Sequence, residues 1–207
     1  AFSIWGVIYV LLIIWVVLGI VRQRRGEDVG YILGVSPLFW ITCAANMAWI
    51  FAWHYDQLVL SVILMLLLLI SLLQIYLKLL PQRDRIPDWA HVPFSIYLGW
   101  VSAATIANIS ALLVDYGWRG GPWPEALWTV AMITVATLLG LFFILKKKGT
   151  FYGLVIIWAL AAIYSRRIAD LAANDAPVEI AALVGAGLLV VTIAVRLFVP
   201  RSTTASP

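Results

Sequence analysis

The sequence predicts an all-α fold, a polytopic transmembrane helix bundle of about seven spans, and three observations predict it. Only 12% of its residues are charged and 64% are hydrophobic, whereas a soluble domain carries about 25% charged residues to face water. Seven apolar runs reach or approach the roughly 20 residues that a helix needs to cross a bilayer. Lys and Arg collect between these runs or at their ends.

The first run, Phe2–Val21, is followed by Arg22, Arg24 and Arg25. A signal peptide has its basic residues in front, so this run reads as a true span. The chain is already apolar at Ala1, and the expectation is that a segment precedes it. Ser36–Trp53 and Leu58–Leu80 follow as the second and third spans, with Pro81 and Pro87 closing the third. Pro93 is expected to open the fourth, Pro93–Val114, because a proline at a helix start gives up no hydrogen bond. Gly and Pro make Tyr116 to Pro124 a loop, and its Trp residues suit a membrane interface. The remaining spans are Ala126–Leu145, Phe151–Tyr164 and Val178–Val199. The sixth is the weakest because it is short, although Lys148 and Arg166 can snorkel at its ends. The tail from Arg201 to Pro207 is polar.

Alternating sides at each crossing puts eleven of the 14 Lys and Arg residues on the side of the C-terminus. The other side carries Arg119, Arg166 and Arg167. The positive-inside rule makes the richer side, and Pro207 with it, cytoplasmic or equivalent. The net charge of +4 therefore reports topology, and no nucleic-acid partner is expected. A single cysteine, Cys43, excludes an internal disulfide framework and a Cys-rich metal site.

No HExxH, GxSxG, P-loop or dinucleotide fingerprint occurs, so no catalytic residue is assigned. His54 and His91 fall on opposite sides of the membrane and cannot share a metal. Asp170, Asp175 and Glu179 cluster near Arg166 and Arg167. A solvated loop with local ion pairs explains them better than a cation site, and no metal is expected.

The chemistry-bearing signal is inside the spans. At 100° per residue, Tyr97, Trp100, Ala104, Asn108 and Asp115 share one face of the fourth span. Asn46, Trp49 and Trp53 share a face of the second, and Trp5 and Tyr9 a face of the first. An amide facing lipid would be unpaired, so Asn46 and Asn108 should point into the bundle and pair across helices. Two readings stand side by side: amides that glue helices among packing indoles, or aromatic stripes that line a pocket for a flat apolar ligand.

The same residues carry a resemblance. Trp5 and Tyr9 match W-x-x-x-Y, and Asn46 and Trp49 match N-x-x-W. Tyr97, Trp100, Ala103, Ala104, Thr105 and Asn108 follow Y-x-x-W-x-x-[FA]-A-[ST]-x-x-N. In this order they resemble the second, third and fifth helices of the tryptophan-rich sensory protein family, relatives of the translocator protein (TspO/MBR). Departures are Ser3, Ala45 and Ile96, where the family has Pro, Leu and Pro. The family's first helix and the lid loop after it have no counterpart here. The resemblance spans about 1–114, which divides the chain into a TspO-like core (1–115), a C-terminal three-helix extension (116–200) and the polar tail (201–207).

The resemblance implies a cavity for tetrapyrroles, sterols or similar flat hydrophobes. Trp5, Tyr9, Asn46, Trp49, Trp100, Ala104 and Asn108 are its expected liners, with Phe51 added by proximity to Trp49. The ligand or cofactor expected is a tetrapyrrole, a carotenoid or another pigment, or a sterol-like lipid, held in a sensor or carrier role. Six of these residues, Ala104 and Phe51 aside, should converge on one cavity in the half of the bilayer away from the basic side. Some family members act on porphyrins under light, an activity not carried over without the lid. The rival reading is an accessory subunit of a larger membrane complex, such as a photosynthetic or respiratory assembly. Membrane lipid is a partner in either case, and a homodimer fits the first.

Overall fold

The structure is a computed structural model and describes residues 3–118, 121–122, 124–169 and 176–198. Among these there are only helices and their connections. They are α1 (Ile4–Arg24), the short α2 (Gly30–Leu33), α3 (Ser36–His54), α4 (Leu58–Leu79), α5 (Asp88–Asp115), α6 (Glu125–Lys147), α7 (Thr150–Ala169) and α8 (Ala176–Phe198). A single 3₁₀ turn, Leu80–Gln82, follows α4.

Helix ends follow from side-chain chemistry. Pro87 and Pro124 stand immediately before α5 and α6 in extended conformation, and Asp88 and Glu125 open the first turns. Basic residues occupy the last turns of α1, α4, α6, α7 and α8. Both arrangements complement the helix dipole. Lys148 closes α6 in the left-handed region at φ 54°, and α7 begins two residues later. Ser and Thr hydroxyls inside the helices return to the preceding turn: Ser102 to Leu98 O, Thr105 to Val101 O and Thr137 to Ile133 O, among others. A hydroxyl in hydrocarbon has no water to turn to, so this local bond satisfies it.

Helix α5 is the hub, packing against α4, α7 and α1, while α4 also packs on α3, and α6, α7 and α8 pack on one another. Glycines permit the closest approaches. A Cβ on Gly99 would stand 3.0 Å from Tyr152 O, and one on Gly185 2.5 Å from Thr137 Oγ1. The outward faces remain apolar, with Val7, Val10, Ile13 and Ile14 of α1 and Leu183, Val184, Val190 and Val191 of α8 exposed. Among the described residues, six helices are long and apolar enough to cross a membrane: α1, α4 with its 3₁₀ turn, α5, α6, α7 and α8. A surface of this kind is solvated by lipid, and the chain is an integral, multi-pass membrane protein.

Three elements differ from expectation. Helix α5 starts at Asp88, not Pro93, because Pro87 already supplies the proline start; Pro93 lies inside the helix, where Trp89 O loses its donor. The sixth span is longer than its apolar run, since α7 continues through Arg166 and Arg167 for 20 residues in all. Helix α3 is not among the six. Three indoles, Asn46 and His54 lower its hydropathy, yet it runs back along α1. Phe39 lies against Trp15, Asn46 reaches Tyr9 and Trp49 stacks on Trp5. It therefore spans the same depth of the bundle as α1 from Trp15 to Trp5.

The basic loops gather at one end. Lys78 donates to Gly34 O, Arg22 lies over the Trp89 ring, Arg83 donates to Lys148 O, and Lys148 pairs with Asp84 at 2.8 Å. The Lys148 ammonium holds the exposed Asp84 carboxyl below its ordinary range. The opposite end carries the starts of α1, α4, α6 and α8 and the finishes of α3, α5 and α7.

Candidate ligand cavity

Trp5 is the centre of an aromatic cluster at that opposite end. Its ring stacks on Tyr9 of its own helix (centroids 5.6 Å apart, 27° between planes) and on Trp49 of α3 (5.8 Å, 29°). Its edge meets Tyr97 and Trp100 of α5 at 5.8 and 6.2 Å. Trp49 in turn stacks on Trp53, one turn further along α3. The indole stripes read from the sequence therefore face one another across three helices.

In front of this cluster lies a cavity of about 680 Å³, within the range of about 300–1,000 Å³ usual for small-molecule sites. Trp5, Trp49, Trp53 and Trp100 form one side. Ala103, Ala104, Ala107 and Asn108 of α5 continue the wall, Thr129 of α6 adds to it, and Ala159, Ala162, Ile163, Arg166 and Arg167 of α7 complete it. Small residues on α5 and α7 keep these two helices from filling the space between the indoles.

Asn108 is 3% exposed and lies 2.9 Å from Ser61 of α4 through its Oδ1. The single Ser61 hydroxyl hydrogen also has Leu58 O within 2.8 Å, so the two acceptors compete for it. Turning the amide over lets its NH₂ donate to Ser61 Oγ while Ser61 donates to Leu58. In either orientation half of the buried amide has no protein partner among the described residues, and Trp49 Nε1 has none either. Buried polar groups left this way carry a desolvation cost that a bound ligand can relieve.

A second groove, of about 510 Å³, opens between α1 and α3 with Tyr97 among its lining residues. Tyr9 and Asn46 line it, joined by a hydrogen bond of 2.9 Å from Asn46 Nδ2 to the Tyr9 hydroxyl. Both intramembrane amides thus face protein and pair across helices, as the polarity argument requires.

Five of the eight residues expected at the site, Trp5, Trp49, Trp100, Ala104 and Asn108, share the larger cavity. Tyr9 and Asn46 lie in the neighbouring groove. Phe51 lines neither and is 58% exposed; two residues beyond Trp49 is 200° around a helix, on the opposite face. Trp53, which shares a face with Asn46 and Trp49 in the sequence but belongs to no motif, joins the wall, whereas every contribution from α6 and α7 was missed. On α7, Ala159, Ala162, Ile163 and Arg166 follow the i, i+3, i+4, i+7 spacing of a single helix face, a signal present in the sequence but chemically quiet.

His54 and His91 are on different helices at opposite ends of the bundle, His91 Nε2 being 3.2 Å from Asp88 Oδ1. No group of acidic, His or Cys side chains fit to hold a metal occurs among the described residues. Asp170 and Asp175 lie outside the described residues.

Compared with known proteins, the chain matches the family model described as TSPO-like protein over residues 1–195. The chain belongs to the TSPO-like protein family. No curated protein and no solved structure gives a significant match. The match to the TSPO-like family continues through α6 and α7 and into α8, past the fourth span where the legible motifs end. In this TSPO-like chain the cavity wall is likewise shared between motif-bearing α5 and the later helix α7.

Proposed function

We propose that this TSPO-like protein binds a flat, largely apolar ligand in the cavity between α1, α3, α5, α6 and α7, and serves as its sensor or carrier. Tetrapyrroles, carotenoids and other pigments, and sterol-like lipids are the chemical classes that fit. The observation that carries this reading is the cavity itself: four indoles around about 680 Å³ of space, with a half-satisfied Asn108 amide in the wall. Indoles stack on a planar body while a few polar groups fix its orientation, which is how mostly apolar pockets gain specificity. The resident role is binding, and no catalytic step is assigned.

The test is a titration of the purified protein in neutral detergent with a porphyrin, wild type against Trp100→Ala. Loss of the stacking ring should weaken binding by about 1–3 kcal/mol, with circular dichroism and thermal unfolding as controls for folding. Equal affinities would leave the accessory-subunit reading stronger. That reading makes a different demand, co-purification with other membrane proteins in fixed stoichiometry.

A further inference from the structure

We infer that a slot between α1 and α3, on the bilayer-facing side of the bundle, binds one anionic phospholipid, with an acyl chain in the slot and the headgroup at Arg24. The slot is separate from the ligand cavity, since none of its lining residues lines that cavity.

The slot is the Tyr9–Asn46 groove carried on toward the basic end. That groove, of about 510 Å³, adjoins a second one of about 270 Å³, and Val16 and Phe39 line both. On α1 the lining residues run from Tyr9 to Gln23, about 21 Å at 1.5 Å per residue. Half a bilayer with its headgroups measures about 20–22 Å, so the slot is as deep as one leaflet. The Asn46–Tyr9 hydrogen bond and the Trp5–Trp49 stack close its deep end. Gly19 lets Ile32 of α2 come close enough to floor the shallow part. In between, the wall is apolar, and Ile13, Val17 and Ile20 on its α1 side are exposed to the bilayer.

The shallow end selects the headgroup. Arg24 follows Ile20 by four residues and Val17 by seven, on the same face of α1, next to the slot-lining Gln23. Trp40, 69% exposed, lines the slot near the start of α3, at the depth where indoles settle between headgroups and chains. Each acidic residue of this end is already engaged. Glu27 pairs with Arg22, Asp28 accepts the Gly30 N–H, Asp84 pairs with Lys148, and Asp88 lies 3.2 Å from His91. Residues 199–207 contain no Asp or Glu. Arg24 is exposed and has no ion pair among the described residues. Charge bias across the membrane is served by a cation anywhere around the helix end. This one stands where an apolar slot of leaflet depth opens, and an acyl chain joined to an anionic head matches both parts.

The experiment uses the full chain in phosphatidylcholine nanodiscs with a trace of one of two probes, phosphatidylglycerol or phosphatidylcholine, each carrying the same diazirine in its acyl chain. After irradiation, peptide mass spectrometry counts adducts on residues 39–47 of the slot and on 183–191 of α8, an outward face that any surrounding lipid touches. The slot-to-α8 adduct ratio should be about fivefold higher with the phosphatidylglycerol probe, the preference that one Arg near an anionic headgroup supplies. Arg24→Gln should abolish that preference and Arg24→Lys should keep it. Arg25→Gln removes the same charge 100° further around the helix end and should also keep it. Val16→Trp, at the waist of the slot, should lower slot adducts with both probes, and unchanged α8 adducts report a folded bundle. Equal ratios for the two probes in wild type, or equal losses in Arg24→Gln and Arg25→Gln, overturn the inference.

Discussion

Asn46 of α3 donates its side-chain N–H to the Tyr9 hydroxyl of α1 at 2.9 Å, tying together two helices whose backbones scarcely approach. The bond sits beneath the Trp5–Trp49 stack, so it sets the separation at which those indoles meet. Asn46 is 8% exposed, and its Oδ1 has no partner among the described residues. Removing Tyr9's hydroxyl would leave the whole amide unsatisfied in an apolar wall. Tyr9→Phe is therefore expected to cost about 1 kcal/mol of stability, within the range found for polar contacts between membrane helices. The double-mutant cycle with Asn46→Leu checks it: a coupling near zero would mean that the bond does not hold α1 to α3.

The spans were legible in the sequence because hydropathy is a property of composition, and lipid tolerates any helix face that is apolar. The lateral arrangement was legible only where polar or aromatic residues broke the apolar background, as at Trp5, Asn46, Trp49, Trp100 and Asn108. Depth along the bundle was not. The helical wheel gives the direction of Tyr9 and Asn46 but not their axial level, and they fall in a groove beside the cavity instead of inside it. Phe51 was carried along by sequence proximity, which a helix converts into the opposite face. The α7 wall stayed hidden because Ala159 and Ala162 contribute space, and space has no signature until the neighbouring helices are placed.

Two glycines two residues apart on α8 separate close packing from mere small size. A Cβ on Gly185 would stand 2.5 Å from Thr137 Oγ1 and 3.1 Å from Leu160 Cδ1, whereas one on Gly187 meets nothing within 4 Å. Gly185→Ala should destabilise the bundle by about 1–3 kcal/mol through overpacking at the α6–α8 contact. Gly187→Ala should be neutral or stabilising by up to about 1 kcal/mol, since alanine is the better helix former. Unfolding in sodium dodecyl sulfate compares the two. Equal effects would mean that α8 does not pack on Thr137.

The last prediction concerns α3, the helix whose hydropathy is the lowest and whose geometry says most plainly that it crosses. Its contacts with α1 run in reverse order, Phe39 to Trp15, Asn46 to Tyr9 and Trp49 to Trp5, so the chain returns through the depth it has just traversed. Indoles count as poorly hydrophobic on transfer scales, yet they settle readily at interfaces and inside aromatic clusters. Helix α3 carries its indoles where the cluster needs them. Three single-cysteine sites on a Cys43→Ala background decide the matter: Glu27→Cys before α3, Gln57→Cys after it, and Gln82→Cys after α4. All three positions are exposed in the fold. A membrane-impermeant maleimide added to intact cells should reach Gln57→Cys alone. The other two, together with a Ser202→Cys site in the tail, should react only after permeabilisation if the basic end lies on the cytoplasmic side, as the charge rule expects. Labelling of Glu27→Cys and Gln57→Cys from the same side would show that α3 turns back without crossing. It would also move the Trp49 end of the cavity out of the half of the bilayer assigned to it here.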